Sequence, residues 1–226
     1  MIKIFSTYTI DRIYNQDNNL KTICNGGPAL FIENVFQKNK FKYEIKFQKT
    51  VIEIKIKKGI EKGALKNKLK KINIRNVSGR DLIIISTVDS EWILDAKTSI
   101  KTQVFLDVQG YIRSARRNPK IYELNFWNHI FCIKGNEHEI KEMPNNVIKN
   151  QKNKCLIITK ESKGAVIYFK NKKHVFTVKK IKSKDTIGAG DTFFANFIVS
   201  FINTRGNIQK SGNFAVREVE KFLLNK

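Results

Sequence analysis

The chain has 226 residues, with 43 Lys and Arg against 20 Asp and Glu, a formal net charge of +23. Hydrophobic residues make up 41% and include 16 Phe, yet no apolar run approaches the roughly 18 residues of a membrane span, so neither a disordered nor a membrane-spanning chain is expected. Cys24, Cys132 and Cys155 are odd in number and widely spaced, which argues against a disulfide scaffold or zinc site and for reduced thiols in a cytoplasmic protein of one domain, residues 1–226.

The N-terminus begins like a strand rather than a signal peptide, with short β segments over 2–5 and 7–13. Asp11 ends the second segment, beside the turn formers Asn15, Asp17 and Asn18. Gly26-Gly27-Pro28 then reads as a tight turn opening a helix, with Pro28 at its first position. Residues 41–57 alternate with period two: Phe41, Tyr43, Ile45 and Phe47 share one face, and Ile52, Ile54 and Ile56 share another. That pattern predicts a small two-stranded antiparallel sheet, which cannot cover its apolar face alone. Residues 60–71 read as a lysine-rich solvated helix, and 90–97 as a short helix.

Continuous apolar strands follow at 82–86, 104–108, 130–133 and 155–159, separated by helical stretches. This is the pattern of a parallel sheet covered by helices on both faces, whose ligands bind beyond the strands' carboxyl ends. The polar residues at those ends are Asp107-Val108-Gln109-Gly110, Lys134 to Glu139, and Thr159. Asn136 and Glu139, three apart, suit either a capping box or a site for a hard cation that keeps most of its waters. A hairpin over 165–178 leads to Asp185-Thr186-Ile187-Gly188-Ala189-Gly190-Asp191-Thr192-Phe193, an apolar helix, and a last amphipathic helix over 211–224. Gly-Ala-Gly leaves free N–H groups at a helix start, where the dipole favours an anion. Asp191 cannot bind an anion there, but it can take a proton from a hydroxyl attacking a phosphate.

Asp-Thr-x-Gly-Ala-Gly-Asp-Thr-Phe resembles the signature of the ribokinase-like (PfkB) carbohydrate kinases, and Gly26-Gly27, Asp107-x-Gln109-Gly110 and Asn136-x-x-Glu139 occur in the expected order. The resemblance implies a ribokinase-like α/β fold, with a mostly parallel sheet and residues 41–57 as a β lid through which two subunits can pair as a homodimer. It implies ATP and Mg²⁺ as cofactors, with a monovalent cation as a further candidate, and a sugar, polyol or nucleoside as acceptor. In that reading Asp191 is the base and Gly188, Ala189 and Gly190 the anion hole; Asn136 and Glu139 order the metal. Thr159, Gly164, Asn136, Asp185 and Thr186 lie at the nucleotide, while Asp11, Gly26, Gly27, Asp107, Gln109 and Arg113 lie at the acceptor. The C-terminal part would wall the adenine.

Two departures stand out. Phe31 is near the place of a usual Asn, and Glu161 replaces the first Gly of Thr-x-Gly-x-x-Gly in Thr159–Gly164. Glu161 motivates the alternative of a catalytically weak ligand-sensing relative. The net charge motivates a polyanion-binding protein. However, the basic residues are spread from Lys3 to Lys226 with one cluster at Lys66–Lys71, so a solvated lysine exterior is expected and a nucleic-acid partner is not.

Overall fold

The structure, a computed structural model, describes residues 1–58, 60–75, 77–94, 101–179, 181 and 185–226. The chain starts with a single long strand, β1 (Ile2–Asn15), followed by β2 (Leu20–Gly26), helix α1 (Pro28–Lys38), β3 (Tyr43–Lys57) and β4 (Ile60–Leu65). Then come β5 (Ile72–Ile74), β6 (Leu82–Ser86), β7 (Trp92–Leu94), β8 (Gln103–Asp107), α2 (Gln109–Ala115) and two 3₁₀ turns, Pro119–Glu123 and Asn125–His129. The remainder is β9 (Cys132–Asn136), α3 (Glu137–Lys141), α4 (Asn145–Asn153), β10 (Cys155–Thr159), a third 3₁₀ turn at Glu161–Lys163, β11 (Ala165–Phe169), β12 (Lys172–Phe176), α5 (Ala189–Asn203) and α6 (Ile208–Leu224).

Among the described residues one sheet runs in the order β12-β11-β10-β9-β8-β6-β1-β3-β4, with β2 joined to β1. The strands from β10 to β3 in that order are parallel. β2, β4, β11 and β12 are antiparallel to their neighbours. Period-two alternation splits the core strands into two apolar layers. Ile84, Phe105 and Ile157 pack with α1, α5 and α6, where Phe194, Phe197 and Ile198 are fully buried. Ile83, Ile85, Leu106 and Ile133 pack on the other face with Tyr111 of α2, Phe126, Trp127, Ile140 and Val147.

The lid is an outgrowth of two core strands. β1 has 14 residues and β3 has 15, against 5 in β6. At about 3.3 Å per residue, both run far beyond the sheet edge. Their first halves belong to the core, where Ile2–Ser6 pair with Leu82–Ser86. Their second halves pair in parallel with each other and carry β2 and β4 as antiparallel flanks.

Several expectations are corrected. The segments at 2–5 and 7–13 are one strand, and the 41–57 pattern holds one strand, Tyr43–Lys57, rather than an antiparallel pair. Residues 60–65 form β4 instead of a helix, because the open edge of β3 offers a row of unpaired backbone groups that outweighs helix propensity. Trp92–Leu94 is a strand paired with β5, not part of a helix over 90–97; positions 95–97 lie outside the described residues. The 130–133 strand begins two residues later, at Cys132.

Candidate functional site

A polar ladder crosses the carboxyl edge of the sheet, built by register alone. Ser6 of β1 pairs with Ser86 of β6, Ser86 with Asp107 of β8, and Asp107 with Lys134 of β9. One step further, Asn136 pairs with Thr159 of β10. The Ser6 hydroxyl donates to the Ser86 carbonyl at 2.7 Å, and Lys134 Nζ to Asp107 Oδ2 at 2.7 Å. Asp107 Oδ1 accepts the Gln109 N–H at 3.1 Å, so both of its oxygens are engaged. Asp107 is 1% exposed and faces the ladder's interior.

The N-terminus of α5 lies over this ladder. Gly188 caps the helix with φ 84, and a β-carbon there would meet the Phe31 ring at 2.3 Å, so both backbone and space demand glycine. A β-carbon on Gly190 would stand 3.1 Å from Lys134 Nζ, which places the buried ammonium against the helix's first turn. Asp191 follows, with Ser86 Oγ at 3.5 Å from its Oδ1. The first-turn N–H groups, the helix dipole and the Lys134 cation therefore converge on one place suited to an anion.

Charge here is tightly balanced. Burial pushes the Lys134 ammonium down, but Asp107, Asp191 and Glu139 together hold it above its ordinary range. Asp191 is pushed up to about 7, first by burial and then by Asp107 and Glu139; Lys134 and Arg113 oppose the rise. Glu139 is raised for the same reason, burial first, with Lys134 opposing. A carboxylate poised near neutral pH beside a fixed cation suits a proton acceptor.

Asn136 and Glu139 form a reciprocal capping box at the start of α3, with Asn136 N–H to Glu139 Oε2 at 2.8 Å and Glu139 N–H to Asn136 Oδ1 at 2.9 Å. The box also aims a buried carboxylate at the ladder, within electrostatic reach of Lys134 and Asp107. Arg113 of α2 is half-buried and acts on both Asp191 and Glu139, whereas Gln109 meets the cluster through its backbone. Among the described residues no group of three or more His, Cys, Asp and Glu is arranged for a metal. The donors at hand are all hard oxygens, which fits Mg²⁺ held by one or two protein groups, waters and a phosphate-bearing ligand.

A second cluster sits on the lid. Asp11 is 3% exposed and raised by burial, opposed by a hydrogen bond from the Thr9 hydroxyl at 2.5 Å. Gly26 lies under that carboxylate: a β-carbon there would fall 2.1 Å from Asp11 Oδ2. Gly27 rests on the Thr7 carbonyl and Thr9 amide. Cys24, the register partner of Asp11, has its thiol raised by burial and then by both Asp11 and Asp185, so the lid cluster faces the loop that leads into α5. In that loop Asp185 Oδ1 accepts the Ile187 N–H at 2.8 Å, the Thr186 carbonyl accepts the Ala189 N–H at 3.1 Å, and Lys226 reaches back to the Asp185 carboxylate and the Ile187 carbonyl.

Gly164 stands apart: it is buried with φ 89, and a β-carbon there would run into the Phe176 carbonyl oxygen. The Thr159 hydroxyl lies 3.5 Å from the Gly135 carbonyl, beside Asn136. Glu161 is exposed with positive φ, and its neighbour Lys160 pairs with Glu137 at 2.8 Å. That carboxylate is turned to solvent. The sequence placed Lys134 at a polar strand end without giving it a role, and did not point to Ser6 and Ser86. A lysine inside the buried run Cys132-Ile133-Lys134 was the available signal.

Residues 54–217 match the model of the pfkB family carbohydrate kinases. No curated protein matches the chain by sequence. Among solved structures, a pyrophosphate-dependent kinase of the ribokinase family, complexed with a pyrophosphate analog and myo-inositol, has a TM-score of 0.73 at 14% identity, over 99% of this chain and 95% of its own. A ribokinase from Cryptococcus neoformans in complex with ADP gives 0.72 at 14%, covering 100% and 94%. A nucleoside kinase from Methanocaldococcus jannaschii gives 0.65 at 19%, covering 99% and 92%. At these identities the likeness establishes the fold, and the family match covers most of the chain. With its mostly parallel sheet, antiparallel lid strands and glycine-capped α5, the chain has the ribokinase-like fold and belongs to the pfkB family of carbohydrate kinases.

Proposed function

We propose that this chain is a single-domain, ATP-dependent kinase that phosphorylates a hydroxyl of a sugar or polyol, with a nucleoside as the alternative acceptor. The observation that carries this reading is the convergence of the α5 N-terminus, the buried Lys134 and the raised Asp191 at one point. The γ-phosphoryl group would lie against the Gly188–Gly190 amides and Lys134. Asp191 takes the acceptor's hydroxyl proton as the acceptor oxygen bonds to Pγ. The bond from Pγ to the bridging oxygen breaks, and ADP leaves with that electron pair. Asp11, on the lid, accepts acceptor hydroxyls; Arg113 offsets charge near the phosphates. Asn136 and Glu139 would hold Mg²⁺, which supplies charge neutralisation on the phosphate oxygens.

An ADP-release screen across sugars, inositols and nucleosides tests the reading: ADP formed in step with one acceptor is expected. ATP left intact with every acceptor refutes it. Gly190→Leu should abolish transfer, because its side chain must start 3.1 Å from Lys134 Nζ and fill the anion position; turnover and ATP binding by calorimetry check this, and unimpaired turnover counts against the anion hole.

A second reading, inorganic pyrophosphate as donor, is favoured by the packing of β12 on α6, the region expected to wall an adenine. The Phe176 ring closes on Gly212, where a β-carbon would meet it at 2.3 Å, and the Lys179 N–H bonds Glu220 Oε1 at 2.7 Å. One structural neighbour is itself pyrophosphate-dependent. Phosphate release from pyrophosphate without nucleotide in the same screen would select this donor; acceptor phosphorylation with ATP alone would exclude it.

A further inference from the structure

Glu91 has no part in the proposed transfer, yet it is 0% exposed in the loop between β6 and β7. One of its oxygens accepts the Thr7 hydroxyl, and the other accepts the Asp89 N–H at 3.0 Å. Burying a carboxylate on a hydroxyl and an amide is costly, and a loop that only needed packing would be better served by a neutral side chain. Its partner gives the reason. Thr7, Thr9 and Asp11 are alternate residues of β1 and share one ridge, all at most 3% exposed. Gly27 is pressed on the Thr7 carbonyl and Thr9 amide, and Gly26 on Asp11.

The other end of the loop is braced as firmly. Asp89 pairs with Arg117, while Lys71 Nζ reaches the Asp89 carbonyl and the Ser90 and Ser114 hydroxyls. A β-carbon on Gly110 of α2 would fall 2.3 Å from Thr87 Oγ1, so this loop is also seated on the helix that carries Arg113. Glu91 thus links the lid ridge to a loop that is itself held by Lys71, Arg117 and α2.

We propose that Glu91 is a positioning residue that, through Thr7, fixes the β1 ridge on which the acceptor's hydroxyls are read. The inference rests on the kinase reading above and adds to it the residue that holds the acceptor side in register. Glu91→Gln can satisfy only one of the two donors with its single carbonyl oxygen, and Thr7→Val removes the hydroxyl altogether. Steady-state kinetics of both variants and their double, with the donor and acceptor found by the screen, test it. Each single variant should raise the acceptor KM about tenfold, with donor KM and kcat within about threefold, as for one lost charge-assisted hydrogen bond. The double should be no worse than either single, and Thr7→Ser should restore the wild-type acceptor KM.

An unchanged acceptor KM, a parallel change in donor KM, or additive effects in the double overturns the proposal. Should Glu91→Gln not fold, Thr7→Val against Thr7→Ser decides alone; if Thr7→Val also fails to fold, the bond is structural and the proposal falls. A wild-type chain that transfers no phosphoryl group refutes the kinase reading itself, and the inference with it. An active wild type with indifferent variants refutes only the inference.

Discussion

Asp191→Asn is expected to lower kcat by roughly 10²–10⁴, the range for loss of a general base, while leaving the acceptor KM near its wild-type value. The amide keeps the volume and the contact with Ser86, but it cannot take a proton. The pH dependence gives an independent check. With the carboxyl pushed up to about 7, the wild-type kcat/KM should rise with pH through that value, and the residual activity of the variant should lack this limb. Stability should move in the opposite sense. A carboxyl raised above its unfolded value contributes stability that is full below the unfolded value and lost as pH rises through the folded one. Between pH 4 and about 7 the wild type should therefore lose stability that the variant keeps, and their Tm difference should grow in the variant's favour. Turnover within threefold of wild type would remove Asp191 from the chemistry.

The parts legible in the sequence are those where local pattern and tertiary role agree. The apolar runs of β6, β8 and β10 and the Phe-rich α5 are buried on all sides, so composition alone marks them. The glycine motif is legible because one residue type solves both a positive φ and the Phe31 contact at Gly188. The lid is less so. Charges such as Asp11 and Arg12 interrupt β1 because half of that strand has left the core, and β4 is a strand only because β3 presents it an edge. β7 and β5 have three residues each, too few to show a period. Asn136 and Glu139 suit a cap and a cation site equally by spacing, and the structure shows the cap while leaving the carboxylate aimed at Lys134. The link between Lys134 and Asp107 was illegible for a plainer reason: it depends on two strands 27 residues apart lying adjacent and in register.

That link makes Lys134→Met the most damaging single change expected in the fold. Methionine fills the stem's volume but leaves Asp107, Asp191 and Glu139 facing one another without their central cation. Removing one partner of a buried pair costs about 3–5 kcal/mol, far more than the pair's own net contribution, because the remaining charge stays buried and unpaired. The loss should also be pH-dependent. Without Lys134 the largest opposition to burial is lost for Asp191 and Glu139, with Arg113 left to oppose it, so their folded values rise further, and the stability they contribute is lost as pH rises through those values. The wild-type lysine is raised in the folded state, so its own contribution is intact below the unfolded lysine value and does not tilt the comparison between pH 5 and pH 8. Urea melts of the variant should show a deficit clearly larger at pH 8 than at pH 5. Adding Asp107→Asn should restore part of it, since one uncompensated carboxylate is then gone. Transfer should fall as well, because the anion position loses its cation and Asp191 titrates at higher pH. A deficit equal at the two pH values, with no rescue by the second substitution, would show that Lys134 fills space rather than balancing charge.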